Sequence, residues 1–468
     1  MQQQFLLYLL ESVTTMHKPD GPFELAGPQG RLVLKAPSPG IKNVIAALPG
    51  GETEVGLEDL FVRTEGSDSL PVFYYMLAKL RRKGLVGYGV KRGDAWTVMC
   101  EPMSAGFALA QEAAVPDRTL VLSRFAITRR EGARLILESP LCTCRLVLHD
   151  ALALVVLHRL AAPVTPAGLQ EEFLTTAAEV GDLVQLFYQT GFAVPVEAEA
   201  TAAHRQWEVQ DLWLHYRSRM GGHDDAFGAS FRFIGEIEPL PALKPPMSSE
   251  YIELFRPDIE KLIADDYPFT LILEERQSLH DYGKPITLQQ VGEFLYRAAR
   301  MRALMEPDPS QGLYFQSSRR SYPSGGIGYE LELYLTIGEC DGLAAGLYHY
   351  QPLEHRLYRL SGETDHTRTM LQTAGNSTEK PCTPQVLISL AARFPRVSWK
   401  YSSIAYSVIL KNVGVLYQTM YLVATAMDLA PCAIGSGSNL ALAQAAGLDP
   451  LAENAVGEFL LGTKRISS

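Results

Sequence analysis

Two stretches of the N-terminal half repeat one order of apolar and polar segments. The first begins GRLVLKAPSPG, passes through an apolar run and LEDLF, and reaches LPVFYYMLAKLRRKGLVGYGV. Within it Leu70, Phe73, Leu77 and Leu80 recur at helical spacing, and Gly84 marks the stop. The second runs ARLILESPLCTCRLVL, then DALALVVLHRL and LQEEFL, and ends VGDLVQLFYQTGFAVPV. There Val180, Leu183 and Phe187 share a face and Gly191 is the stop. Strands, helices and a closing hairpin in that order predict a winged-helix-like unit twice, over residues 1–110 and 111–220.

Past residue 220 the pattern breaks into Gly221 and Gly222, then Pro239, Pro241, Pro245 and Pro246, which predicts a linker over 221–260. Beyond it ITLQQVGEFLYRAARMRAL predicts an amphipathic helix, ELELYLTIG and GLYHY predict strands, and VGVLYQTMYLVATAMDLA predicts a buried helix. The mixture predicts an α+β domain over 261–468. The longest apolar stretch follows Lys411 and Asn412 and reaches Met427 with Gln418 inside it. A bilayer span needs roughly 20 apolar residues, so the stretch is expected to be a buried helix, with no membrane partner.

A chain of 468 residues exceeds one ordinary domain. Net charge of −10, with 20% charged and 47% hydrophobic residues, predicts a soluble globular protein and argues against nucleic acid as a partner. The basic cluster Lys79, Arg81, Arg82 and Lys83 at the end of the first candidate recognition helix complements the negative end of the helix dipole. The other use of such a unit is peptide capture along a sheet edge. The start MQQQFLLYLLESVTTMHK has no basic region and is interrupted by Glu11, which predicts no signal peptide and a cytoplasmic protein. Six scattered cysteines show neither zinc spacing nor a disulfide framework, so no metal site is expected.

The residues that bear chemistry lie in the C-terminal half: RQSLHDY (276–282), RRSYPSGG (319–326), SWKYSSIAYS (398–407), KNVG (411–414), PCAIGSGS (431–438) and GTKR (462–465). Their order and spacing resemble the FMN-dependent nitroreductase fold. They are most similar to its azoline-oxidase branch, the cyanobactin thiazoline oxidases and streptolysin-type dehydrogenases that aromatise heterocycles in ribosomally made peptides. The resemblance covers about residues 205–468, including WEVQDLWLHYRSRMGG, and extends more loosely to the N-terminal repeats as peptide-clamp domains.

The resemblance implies an FMN site shared between the subunits of a homodimer. A flavin phosphate is a dianion and needs converging cations and hydroxyl donors. Arg276, Gln277 and Ser278 match the family's Arg-x-Ser element, and Lys464 and Arg465 its second phosphate clamp. His280 stands where an arginine or lysine is more usual, which weakens one contact because histidine carries charge only near or below a pKa of about 6.5. Pro323, Ser324, Gly325 and Gly326 form a turn that lets backbone approach a flat ring. Ile434, Gly435 and Ser436 match the segment whose amide faces flavin N5, and Asn412 an amide near the pyrimidine edge.

Lys400 and Tyr401 match the pair that sets the azoline-oxidase branch apart. Turning a thiazoline into a thiazole removes a proton from one ring carbon and a hydride equivalent from the other, so a base must face the flavin. Both side chains start near a pKa of about 10, and burial would lower lysine's. Lys400 is therefore expected to be the base and Tyr401 a relay or orienting donor, with the reverse assignment open. The expected activity is dehydrogenation of thiazolines or oxazolines in a precursor peptide with dioxygen as acceptor, alone or beside a cyclase. The alternatives are an NAD(P)H-fed nitroreductase and an inactive peptide-docking subunit.

Overall fold

In the N-terminal half both repeated patterns fold onto one sheet. The structure, a computed structural model, describes residues 5–17, 22–104, 107, 109, 115 and 117–465, so the boundary expected at 110/111 lies outside the described residues. Seven antiparallel strands run in the order Glu52–Thr53, Leu6–Leu9, Val86–Arg92, Ala95–Pro102, Cys144–Leu148, Arg134–Glu138, Ile127–Glu131. Cys144–Leu148 of the second pattern pairs with Ala95–Pro102 of the first, Leu146 opposite Cys100. This shared ladder merges the two expected domains into one compact unit, Met1–Asp225.

The first pattern forms three helices, Pro39–Ala47, Glu54–Glu65 and Leu70–Arg82, and closes with the hairpin of Val86–Arg92 and Ala95–Pro102. Phe73, Met76, Leu77 and Leu80 are buried on one face of Leu70–Arg82, and Gly84 at φ +59° turns the chain into the hairpin. The second forms Ala151–Arg159, Pro166–Glu172 and Ala177–Gln189 but ends without a hairpin. Its closing strand is only Ala193–Pro195, paired with Leu120–Leu122. Pro195 has no amide to extend a ladder, and the chain turns at once into a 3-10 helix over Val196–Ala200.

The second unit is Ala226–Ser468. Its seven antiparallel strands run in the order Tyr251–Glu253, Arg356–Ser361, Gly346–Gln351, Leu331–Ile337, Val386–Arg393, Glu453–Thr463, Leu429–Ile434. Every residue of Leu331–Ile337 and Val386–Arg393 is buried, because helices cover both faces. Leu331, Leu333 and Leu335 share one core with Val291, Phe294 and Leu295 of the helix Leu288–Ala299 and with Val413 and Leu416 of the helix Ala405–Ala426. Tyr334 points the other way, with Met370 and Leu442.

Part of the expected linker belongs to this unit. Tyr251–Glu253 is an edge strand, Gly228–Ala229 pairs with Tyr401–Ser402, and the carbonyls of Leu240 and Pro241 accept from Arg396 and Arg393. The amphipathic helix ends at Ala299, and Met301–Met305 is instead a strand paired with Ser317–Arg320. The long helix Ala405–Ala426 is buried at Ile409, Val413, Leu416 and Met420, whereas Tyr406 and Leu410 are exposed. Among the described residues no helix is long and apolar enough to cross a membrane.

Candidate functional site

Lys400 and Tyr401 follow the short helix Phe394–Ser398, and Tyr401 opens a two-residue strand that pairs with Gly228–Ala229. The Phe231 amide donates to the Lys400 carbonyl at 3.1 Å and the Ser230 and Ser402 hydroxyls meet at 2.6 Å, so residues 228–231 pin the pair from behind. The Lys400 ammonium lies 5.3 Å from the Phe315 ring centre, 5.6 Å from that of Phe231 and 5.3 Å from that of Tyr401. Burial lowers the pKa of Lys400 and raises that of Tyr401. The amine is thus easier to deprotonate than usual and the phenol harder.

The turn predicted from RRSYPSGG is folded against this pair. Lys400 Nζ donates to the Gly326 carbonyl at 3.1 Å. A methyl on Gly326 would collide with the Tyr401 hydroxyl and come within 2.8 Å of Lys400 Nζ. Gly326, Ile327 and Tyr329 all have positive φ, of +60°, +54° and +45°. Left-handed backbone costs a residue with a Cβ about 1–2 kcal/mol, so the turn persists only because its surroundings hold it. Ser317 Oγ donates to the Ile327 carbonyl at 2.5 Å and Arg396 Nε to that of Gly328 at 2.8 Å.

Asn412, on the long helix, joins this cluster. Its Oδ1 accepts from the Gly325 amide at 2.9 Å, and its Nδ2 donates to Glu330 at 2.9 Å and Ser324 at 3.1 Å. Both amide hydrogens are engaged inside the protein, so Asn412 fastens the turn.

A second cluster gathers the expected phosphate ligands. The Leu279 amide donates to the Pro431 carbonyl at 2.7 Å and the Gly283 amide to that of Thr463 at 3.0 Å, which lays RQSLHDY beside PCAIG and GTKR. Ser278 Oγ and Tyr421 Oη are 2.7 Å apart, and the Arg276 guanidinium lies 5.3 Å from the Tyr421 ring. Arg276 has no carboxylate partner among the described residues, whereas Lys464 pairs with Asp428 and Arg465 with Asp281. Gln277 is exposed. An open cleft of about 700 Å³ is lined by Ser278, His280, Tyr282, Cys382 and Arg465, among others. His280 Nδ1 and Tyr282 Oη beside it are buried with no hydrogen-bond partner among the described residues.

The third segment, Ile434 to Ser436, leaves the edge strand. Ile434 is buried and Ser436 bonds Ser377 Oγ at 2.8 Å, and nothing lies within 4 Å of where a Gly435 Cβ would stand. Glu458, opposite Ile434 on the neighbouring strand, lies under Gly437. Burial pushes its carboxyl up to about 7.

These residues fit a flavin mononucleotide in kind. An unpaired arginine, a hydroxyl and two orphaned polar atoms suit a phosphate, and open space over Gly435 suits a flat ring. One chain does not converge them. Asn412 and Tyr421 are nine residues apart on one helix, two and a half turns at 3.6 residues per turn, so they face opposite sides. Tyr421, Phe231, Glu330 and Glu458 were not singled out from the sequence, where nothing separates them from core tyrosines, loop aromatics and strand glutamates. Among the described residues no cluster could hold a metal ion.

Residues 273–463 match the model of the nitroreductase family, and residues 120–224 match that of the cyanobactin oxidase ThcOx. The chain joins a cyanobactin-oxidase-type domain to a nitroreductase-family domain, and the latter marks it as an oxidoreductase. A protein of Methanocaldococcus jannaschii that bears a nitroreductase name is 27% identical over 187 residues, 40% of this chain and 84% of its own length. The microcin B17-processing protein McbC of Escherichia coli is 31% identical over 134 residues, 28% of this chain and 46% of McbC. Among solved structures, a Ralstonia eutropha protein with a nitroreductase name overlays with a TM-score of 0.37 at 20% identity, covering 50% of this chain and 97% of that one. The E. coli microcin synthetase McbBCD complex with truncated pro-MccB17 bound overlays at 0.35 and 19%, covering 55% and 92%.

Proposed function

We propose that the chain is an FMN-dependent azoline oxidase that dehydrogenates thiazolines or oxazolines in a ribosomally made peptide. The observation that carries this reading is the Lys400–Tyr401 pair docked on the Gly326 turn, with burial moving the two pKa values in opposite directions. The match of residues 120–224 to the cyanobactin oxidase model and the likeness to a microcin-processing protein support a peptide substrate. The first unit would then be a peptide clamp, raising the local concentration of the ring to be oxidised.

Arg276, Ser278, His280 and Tyr282 would hold the phosphate of the cofactor, with Lys464 and Arg465 close by. The turn of residues 323–326 and the Ile434–Ser436 segment would flank the ring, each supplied by a different subunit of a homodimer. FMN, when bound, supplies the two-electron acceptor, and dioxygen takes the electrons on as hydrogen peroxide. Lys400, as the free amine, takes the proton from the ring carbon and becomes an ammonium that the Gly326 carbonyl accepts. Tyr401 keeps its proton and serves as a hydrogen-bond donor. The rate should therefore rise with pH through the lowered pKa of Lys400 and should need no nicotinamide.

The test is mass spectrometry of a thiazoline-bearing peptide incubated in air with the yellow protein. A loss of about 2 Da per ring, the mass of the two hydrogens removed, is expected. Lys400→Ala should keep the flavin absorbance and lose the mass change by about 100-fold or more, the range for removing a general base. Undiminished thiazole formation in that variant would overturn the assignment. Nitroaromatic reduction driven by NAD(P)H without peptide oxidation would favour the nitroreductase reading instead.

A further inference from the structure

Three carbonyls in succession, those of Gly326, Ile327 and Gly328, are each taken by a side-chain donor: Lys400, Ser317 and Arg396. The amide side of the same turn is held from the long helix, where Asn412 Oδ1 accepts from the Gly325 amide. The rotamer of Asn412 is fixed in turn by Glu330, a fully buried carboxylate whose Oε1 takes one of its amide hydrogens at 2.9 Å. Ser324 closes the ring. Its hydroxyl accepts the other Asn412 hydrogen and the Tyr329 amide at 3.0 Å, and it lies 3.4 Å from the second Glu330 oxygen.

A carboxylate without solvent exposure, holding an amide that holds a strained turn, is more than core filling. Leucine and methionine at 330 and 412 would fill the same space without desolvating a carboxyl group, whose pKa burial raises. The clasp leads to the Gly326 carbonyl, which receives the Lys400 ammonium.

We propose that Glu330 and Asn412 are positioning residues for Lys400, clasping the 324–329 turn so that the Gly326 carbonyl holds the amine in place. The inference rests on the reading of Lys400 as the base and adds the device that aims it. Around the amine stand the Phe231 and Phe315 rings, the Tyr401 ring and the Gly326 carbonyl. Releasing the carbonyl frees the amine to swing out of this apolar surround into water.

The experiment is competitive acylation of the full-length protein with trace acetic anhydride across neutral to alkaline pH, reading the Lys400 peptide by mass spectrometry. In the wild type the labelling midpoint of Lys400 lies below that of an ordinary lysine. Asn412→Ala and Glu330→Ala move it up toward the ordinary value, and peptide dehydrogenation loses about 10- to 100-fold in kcat with KM little changed, the scale for a misplaced catalytic group. Glu330→Gln keeps the shape and one acceptor and restores the wild-type midpoint. Should the alanine variants fail to fold, Ser324→Ala, at a half-buried position, shifts the midpoint in the same direction by less. An unchanged midpoint in Ser324→Ala and in whichever alanine variants fold overturns the proposal, as does Glu330→Gln behaving like Glu330→Ala. Labelling needs no substrate. Shifted midpoints in a protein that never oxidises azolines would remove the functional reading alone, and oxidation without shifted midpoints would remove this inference alone.

Discussion

The two ends of the candidate site differ in how far their polar groups are satisfied. At the turn against Lys400 the carbonyls of Gly326, Ile327 and Gly328 each accept from a side chain and Asn412 uses both amide hydrogens, while Ser321 Oγ and Tyr322 Oη just ahead of it are buried without a partner among the described residues. Around Ser278, among the described residues, Arg276 has no carboxylate partner and His280 and Tyr282 each bury an unpartnered polar atom, beside an open cleft. Buried polar groups left alone are costly, so they persist where a ligand completes them. The first end is held by hydrogen bonds within the chain, and the second borders an open cleft.

Breaking the organised end should have the largest effect. Gly326→Ala places a Cβ against Tyr401 and Lys400 on backbone at φ +60°, so peptide dehydrogenation should fall about 100-fold, the scale of a roughly 1 Å displacement of a catalytic group. Flavin absorbance at full occupancy should stay unchanged, and a wild-type rate would show that the packing there is idle. Next comes Arg276→Ala, which should weaken FMN binding about tenfold or more, as expected for a charge-assisted contact, with the rate recovering at excess FMN. Fluorescence titration with FMN measures this, and equal affinities would mean that the cleft is not the phosphate site.

The smallest effect concerns Glu458, whose folded pKa of about 7 lies above the ordinary carboxyl value of 4.5. The sign follows from linkage. Below pH 4.5 the group is neutral in both states and carries no penalty, and between 4.5 and 7 the unfolded chain ionises first, so stability is lost as pH rises through 7. Glu458→Gln should therefore raise the melting temperature by a few degrees at pH 8, on the order of 1–3 kcal/mol, and leave it unchanged at pH 4. Equal gains at both pH values would show that folding does not shift the pKa of this carboxyl.

Helices written as amphipathic runs were legible before any coordinates. Phe73, Leu77 and Leu80, and Val180, Leu183 and Phe187, are buried where their spacing places them. The strands of ELELYLTIG and GLYHY were equally plain. What the pattern did not show was long-range pairing: Cys144–Leu148 joining Ala95–Pro102, and Met301–Met305 leaving a helical run to pair with Ser317–Arg320. Partners in a ladder are chosen by the whole sheet, so local periodicity carries no record of them.

The same division holds for the site. The residue types and order of RQS, PSGG, Lys-Tyr, IGS and TKR are properties of the chain, and from them came the flavin-dependent reading. Only the tertiary structure decided that Gly326 touches Lys400, that Asn412 fastens a turn, and that the two halves of the site face opposite sides of one helix. Side-chain chemistry is written residue by residue. The approach of groups some 75 positions apart depends on how helices and sheet pack, and on how burial then shifts each proton equilibrium.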